Sequence, residues 1–231
     1  MMNNIILGDG LLGKEIQKQT GWDYISRKKD GIDFKDINTY VGKIHRYDTV
    51  VNCIANTDTY STDFKSHWET NFLGLIQLAD YCNDRDMKLV HISTDYIYAD
   101  SCKDAKETDV PVYKGNWYSY TKLIGDAYVQ AACKKHLVIR TSFKPRPFPY
   151  PKAITTQEGN FDYVDIISTL IIMLIDKNAE GVYNVGTDKK TIYDLAVKTK
   201  DVMPYNEILH PTMPTNVTMN VEKMRRFLSE N

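Results

Sequence analysis

The feature that most constrains the fold is an alternation, in which short apolar, β-prone runs take turns with stretches of helical periodicity. The runs NNIIL, WDYIS, DTVVNCI, MKLVHIS and HLVIRTS are separated by LLGKEIQKQ, DINTYVGKI, SHWETNFLGLIQLADYC and YSYTKLIGDAYVQAAC. A strand that is apolar throughout must be covered on both faces, and helices returning between parallel strands cover it. The sequence therefore predicts an α/β fold, a Rossmann-like doubly wound parallel sheet. After Ser142 the texture changes to FKPRPFPYPKA, with four prolines in eleven residues. Prolines at that density forbid a helix or a central strand and point to an ordered, semi-rigid loop. An apolar helix (YVDIISTLIIMLID), a strand (GVYNVG), an amphipathic helix (TIYDLAVKTK) and a Pro-punctuated tail follow. We expect a main domain over 1–143 and a small lobe over 144–231, partly integrated with it.

Composition narrows the function classes. With 231 residues, 42% of them apolar, the chain can bury one sizeable core. A net charge of -1 and a pI near 6.5 give no electrostatic reason to expect a nucleic acid partner. The four cysteines form no CxxC pair and the five histidines no HxxxH pair, so reduced thiols and no metal are expected. The opening MMNNIILGDG has too short an apolar run for a signal peptide, and nothing downstream approaches a membrane span. A cytoplasmic protein is the expectation.

Gly8-Asp9-Gly10-Leu11-Leu12-Gly13 follows the first strand and opens the first helix. In that context a GxGxxG lets backbone amides and a helix N-terminus meet a pyrophosphate; alone it is a tight turn with close helix packing. At the end of the next strand, where an acid would accept from a ribose 2'-hydroxyl, stand Ser26, Arg27 and Lys28. Guanidinium and ammonium groups pair with a 2'-phosphate, so NADPH is favoured over NADH; the other reading is a solvated basic turn.

On a helix, positions four apart share a face, so Tyr118 can act with Lys122 while Tyr120 points elsewhere. An adjacent ammonium would favour phenolate and draw the phenol's pKa toward the working range. Ser93, Thr94 and Asp95 end an apolar strand, and a hydroxyl there could hold a carbonyl oxygen. Singly, each motif is equally an ordinary helix pair or a helix cap. It is their conjunction that counts.

Together these motifs resemble the extended short-chain dehydrogenase/reductase superfamily, and most closely its dTDP-4-dehydrorhamnose reductase branch. GDGLLGKEI resembles the cofactor loop, GIDFKD the adenine-side Asp33 and Phe34, and VNCIANT the segment along the cofactor, with Cys53, Ile54 and Asn56. STDYIY, YSYTKLIGD and VIRTSF complete the series from about Ile5 to Phe143. The resemblance implies that Tyr118 is the proton donor, Lys122 its partner and a ribose ligand, and Thr94 the hydrogen-bond donor to the carbonyl oxygen. It implies NADPH-dependent reduction of a keto group on a nucleotide-linked 4-keto-6-deoxy sugar; a homodimer is the common default for such domains.

The resemblance thins in the lobe, whose route to the next helix looks shortened, and Met213 stands where the branch places an arginine before Pro214. Lys144, Arg146 and Lys152 are the candidates to meet a substrate diphosphate, or else a solvated basic loop. Phe143 aligns with an aromatic near the sugar, a core position being the alternative. His67 and Trp68 either face the cleft or pack the helix start, and Asn71 resembles a supporting asparagine. Two other functions stay open. An epimerase/reductase would need a further acid-base pair, for which Cys102 and His67 are candidates. A non-catalytic NADP(H)-binding regulatory subunit would suit the shortened lobe.

Overall fold

A computed structural model describes residues 3–109, 111, 116–207 and 210–230. The alternating apolar runs become six strands: β1 (Asn4–Leu7), β2 (Asp23–Ile25), β3 (Thr49–Asn52), β4 (Lys88–Thr94), β5 (His136–Thr141) and β6 (Gly181–Val185). All pair in parallel, in the order β6-β5-β4-β3-β1-β2. Successive side chains point to opposite faces and both are buried. Ile6, Val51, Val90 and Ile139 enter one apolar cluster, while Ile5, Val50, Leu89 and Val138 enter another. Helix α1 (Leu11–Thr20) covers the first face, and α2 (Gly74–Asp84) and α3 (Trp117–Ala132) cover the second. The chain is an α/β protein with a Rossmann-like sheet. Because β2 and β3 flank β1 on opposite sides, the loops leaving β1 and β3 diverge and open a crevice at the carboxyl edge.

Beyond β5, α4 (Val164–Asp176) packs on α1 and β6 extends the main sheet, so much of the segment after residue 143 belongs to the central layer. The proline-rich stretch is bounded by two short strands, Phe143–Lys144 paired with Asp162–Tyr163 and Lys152–Ile154 paired with Met203–Tyr205. A third apolar cluster, including Phe148, Phe161, Tyr163 and Leu195, sits beneath them. The helix expected across TIYDLAVKTK spans only Ile192–Ala196, started by a reciprocal Thr191–Asp194 cap. Three residues beyond its end, the Thr199 hydroxyl is taken by the Phe148 amide and the Tyr163 phenol. The Pro-punctuated tail ends in a helix, α5 (Glu222–Ser229), that buries Met224 against the first cluster. Among the described residues no helix is long and apolar enough to cross a membrane.

Candidate active site

At the carboxyl end of β1, Gly8 turns with φ +100°, a conformation that favours glycine. A Cβ on Gly13 would stand 2.1 Å from the Gly8 carbonyl oxygen, and one on Gly8 would stand 2.8 Å from Ile54 Cγ1. The loop is thus drawn against both α1 and the segment after β3. Gly10 caps α1 without a side-chain hydrogen bond, leaving the first amides of a ten-residue helix open to an anion. Leu12 packs into the core while Leu11 stays exposed at the rim. The Cys53 amide donates to the Leu7 carbonyl at 2.9 Å and the Ile54 amide to Asn52 Oδ1 at 3.0 Å. Gly8 to Gly13 and Cys53 to Asn56 are therefore brought together.

Next to them the expectations divide. Ser26 is buried, and its hydroxyl caps the turn Arg27–Asp30 by accepting from the Lys29 amide at 3.1 Å. It is committed to the fold, whereas Arg27 and Lys28 are exposed at the end of β2. Asp33 is exposed as well, accepting from the Lys35 amide at 3.1 Å. The Phe34 ring, by contrast, is buried against Gly74 and stacked with Tyr40, which commits it to the core.

Asn71, which the sequence made secondary, is a hub. It lies in a π turn, Trp68–Leu73, that re-aims its side chain within an otherwise continuous helix. Its Oδ1 accepts from the Asn56 amide at 2.8 Å, and its Nδ2 donates to the Asn56 carbonyl at 3.0 Å and Thr121 Oγ1 at 3.2 Å. The loop after β3 is thereby tied to α3. His67 is fully buried beneath this knot, its Nδ1 facing Asn71 Nδ2 at 3.4 Å, and burial lowers its pKa.

Helix α3 begins at Asn116, whose side chain accepts from the Ser119 amide. Two residues on, the Tyr118 ring lies between His67 and Tyr96, with ring centroids 6.3 Å from each. The Thr94 hydroxyl, at the end of β4, favours its phenolate and so works against burial. Tyr120 packs edge-on against Trp117 instead. Lys122 follows one turn later, but its amine is aimed at the sheet: Nζ donates to the Ile92 carbonyl at 2.7 Å and lies 3.2 Å from His91 Nε2. Burial lowers its pKa to about 8, with Asp126 and Cys53 working in the other direction. This corrects the expectation that Lys122 pulls the phenol down. Burial pushes Tyr118 up to about 12, and a phenol that stays protonated at neutral pH is suited to giving a proton.

Beside Tyr96 opens a cleft of about 760 Å³, whose lining includes Thr57, Tyr60, Lys144, Lys152, Gln157 and Met213. Lys144 and Lys152 thus reach the cleft. Arg146 does not line it: its guanidinium pairs with Asp165 at 2.7 Å and lies over the Tyr163 ring. Phe143 packs on the first apolar cluster, next to α4. The candidate epimerase pair is not assembled, since Cys102 lies 3.9 Å from an Asp109 carboxylate oxygen while His67 is sealed under Asn71. Among the described residues no cluster of three metal-ligating side chains forms.

The comparisons with known proteins agree with this layout. A family model described as the RmlD substrate binding domain matches residues 2–144. A dTDP-4-dehydrorhamnose reductase of Mycolicibacterium smegmatis is 29% identical over 140 residues, 58% of this chain and 43% of that protein. A dTDP-4-keto-6-deoxy-D-glucose reductase of Streptomyces niveus is 25% identical over 174 residues, 67% of this chain and 60% of that protein. The chain thus covers less than two thirds of either relative. Among solved structures, the Bacillus anthracis dTDP-4-dehydrorhamnose reductase in complex with NADP superimposes with a TM-score of 0.82 at 21% identity, covering 98% of this chain and 93% of that one. That likeness is one of fold.

Proposed function

Because the chain belongs to the RmlD substrate binding domain family, we propose that it is a cytoplasmic, NADPH-dependent ketoreductase acting on a nucleotide-linked 4-keto-6-deoxy sugar. The observation that carries this reading is the convergence, at one edge of the sheet, of the glycine loop, the segment from Cys53 to Asn56, and Thr94, Tyr118 and Lys122. A dinucleotide fits the residues present. The open α1 N-terminus and the Gly8–Gly13 cradle suit a pyrophosphate, and Arg27 and Lys28 suit a 2'-phosphate.

When bound, NADPH supplies the hydride. The protein's own part is acid catalysis: Tyr118 gives its phenolic proton to the oxygen of the reduced carbonyl, and the Thr94 hydroxyl holds that oxygen by a hydrogen bond. Lys122, fixed by the Ile92 carbonyl, keeps a remaining N–H for the cofactor's ribose. The segment 144–231 serves as the substrate lobe, with Lys144 and Lys152 positioned in the cleft for the diphosphate.

The decisive experiment is Tyr118→Phe assayed with a panel of nucleotide 4-keto sugars. NADPH affinity should stay near that of the parent while turnover falls about 10²- to 10⁴-fold; unimpaired turnover removes Tyr118 from the chemistry. Cofactor choice has its own test. Replacing Arg27 and Lys28 by alanine should weaken NADPH binding about 10-fold or more and leave NADH binding unchanged; an equal effect on both cofactors would refute a 2'-phosphate site.

A further inference from the structure

Residues two apart on a strand share a face, so His91 stands next to Leu89 on the side of β4 that α3 covers. The register sets Asn52 of β3 directly beside it. Polar side chains in such a layer cost stability unless they are paired. His91, Asn52 and the Lys122 that lies over them are all buried, at 1% exposure each.

Their contacts form a line. Asn52 Oδ1 accepts from the Ile54 amide at 3.0 Å, in the segment after β3, and Asn52 Nδ2 lies 3.4 Å from His91 Nδ1. On the other side of the ring, His91 Nε2 is 3.2 Å from Lys122 Nζ and 3.7 Å from Asp126 Oδ1. Two nitrogens 3.2 Å apart hold one hydrogen between them: an ammonium gives it to a bare ring nitrogen, or an amine takes it from a ring N–H. In either case Lys122 Nζ has two fixed partners, the ring and the Ile92 carbonyl at 2.7 Å. A lysine stem is flexible and a lone contact at its tip leaves the amine free to swing. Two contacts, from a side chain and from the backbone of the same strand, leave its remaining N–H one direction.

We propose that His91 is a positioning residue, a role that rests on the NADPH-dependent reading above. It holds Lys122 Nζ from the sheet side so that the remaining N–H is aimed at the cofactor's ribose, and through Asn52 it ties that amine to the segment that lies along the cofactor. Buried under α3, it acts through Lys122 and not on the substrate.

NADPH binding to the full chain, measured by titration calorimetry, tests this. His91→Leu removes the partner and should weaken binding about 10-fold or more. His91→Gln, whose amide can give or take a hydrogen bond, should recover most of that loss. In a chain already carrying Lys122→Met, His91→Leu should change the affinity by less than about 2-fold, because the residue through which it acts has gone. A general loosening of the core would weaken binding by the same factor in both backgrounds. The contact also has a signature that needs no folded leucine variant. In nitrogen-15 spectra without cofactor, the His91 Nε2 resonance, assigned with His91→Gln, should shift between wild type and Lys122→Met while those of the other histidines stay in place. An unmoved His91 resonance, wild-type affinity in His91→Leu, a loss that His91→Gln shares in full, or an equal loss with and without Lys122 each overturns the positioning role alone. A wild-type chain that binds no NADPH overturns the cofactor reading, and the positioning role falls with it.

Discussion

Two carboxylates, Asp126 and Asp95, are buried close to the last residues of β4, at 0% and 1% exposure, and they are handled in opposite ways. Asp126, on α3, accepts from Arg140 Nε at 3.1 Å, while its other oxygen, which has no hydrogen-bond partner, faces His91 Nε2 at 3.7 Å. Arg140 in turn donates to Tyr98 Oη at 2.5 Å and to the Glu107 carbonyl at 3.1 Å, and Tyr98 donates to Asn184 Oδ1 at 3.0 Å. One network so joins α3, β5, the turn after β4, and β6. Asp95 has no guanidinium. One oxygen meets a hydroxyl, the other, like Asp126 Oδ1, has no partner, and the cation that draws its pKa down, Lys144, borders the cleft. A buried carboxylate pinned by a guanidinium becomes part of the frame; one with no ion pair holds its proton up to about neutral pH.

The largest expected effect follows from that contrast. Asp126→Ala should cost about 3–5 kcal/mol of folding stability, because Arg140 would be left buried without its counter-charge. Urea unfolding measures it, and replacing Arg140 by leucine in the same chain should recover much of the loss, since removing both charges is far less costly than removing one. A loss below about 1 kcal/mol would place Asp126 in the same class as Asp95.

The parts legible in the sequence are those written in local spacing. Apolar runs flanked by helical periods specify the sheet, the glycines follow from a strand-to-helix turn, and Tyr118 with Lys122 follows from one helical turn. The directions that side chains take were not legible, because partners distant in the chain set them. Lys122 is turned by the Ile92 carbonyl, 30 residues away, and Arg146 is drawn off by Asp165, 19 residues away. Ser26 looked like a ligand because a capping serine and a ligand serine occupy the same place after a strand. The π turn that makes Asn71 a hub leaves no mark in a 3.6-residue pattern. The α5 helix could have been found, since Val221, Met224, Phe227 and Leu228 recur at helical spacing. The burial of Asp95 was not legible either, as the motif around it shows only a turn after a strand.

A smaller and pH-dependent effect sharpens the comparison from the other side. The Asp95 carboxyl titrates near 7 in the folded chain against an ordinary 3.8, so the folded state holds the proton more tightly than the unfolded one. Below 3.8 the group is protonated in both states and its titration contributes nothing. As the pH rises toward 7 the unfolded chain ionises freely while the folded chain resists, and the wild type loses stability until the folded group has ionised too. Asparagine has no proton to lose. Asp95→Asn should therefore match the wild type at the acid end and become more stable by about 1–3 kcal/mol above neutrality, part of the gain being offset by the unpaired Lys144 ammonium. Urea midpoints across that range, at constant m, give the difference directly. A gain that is flat with pH, or a loss that grows toward the alkaline side, would mean that Asp95 is held as a paired carboxylate and that the two buried acids do not differ in kind.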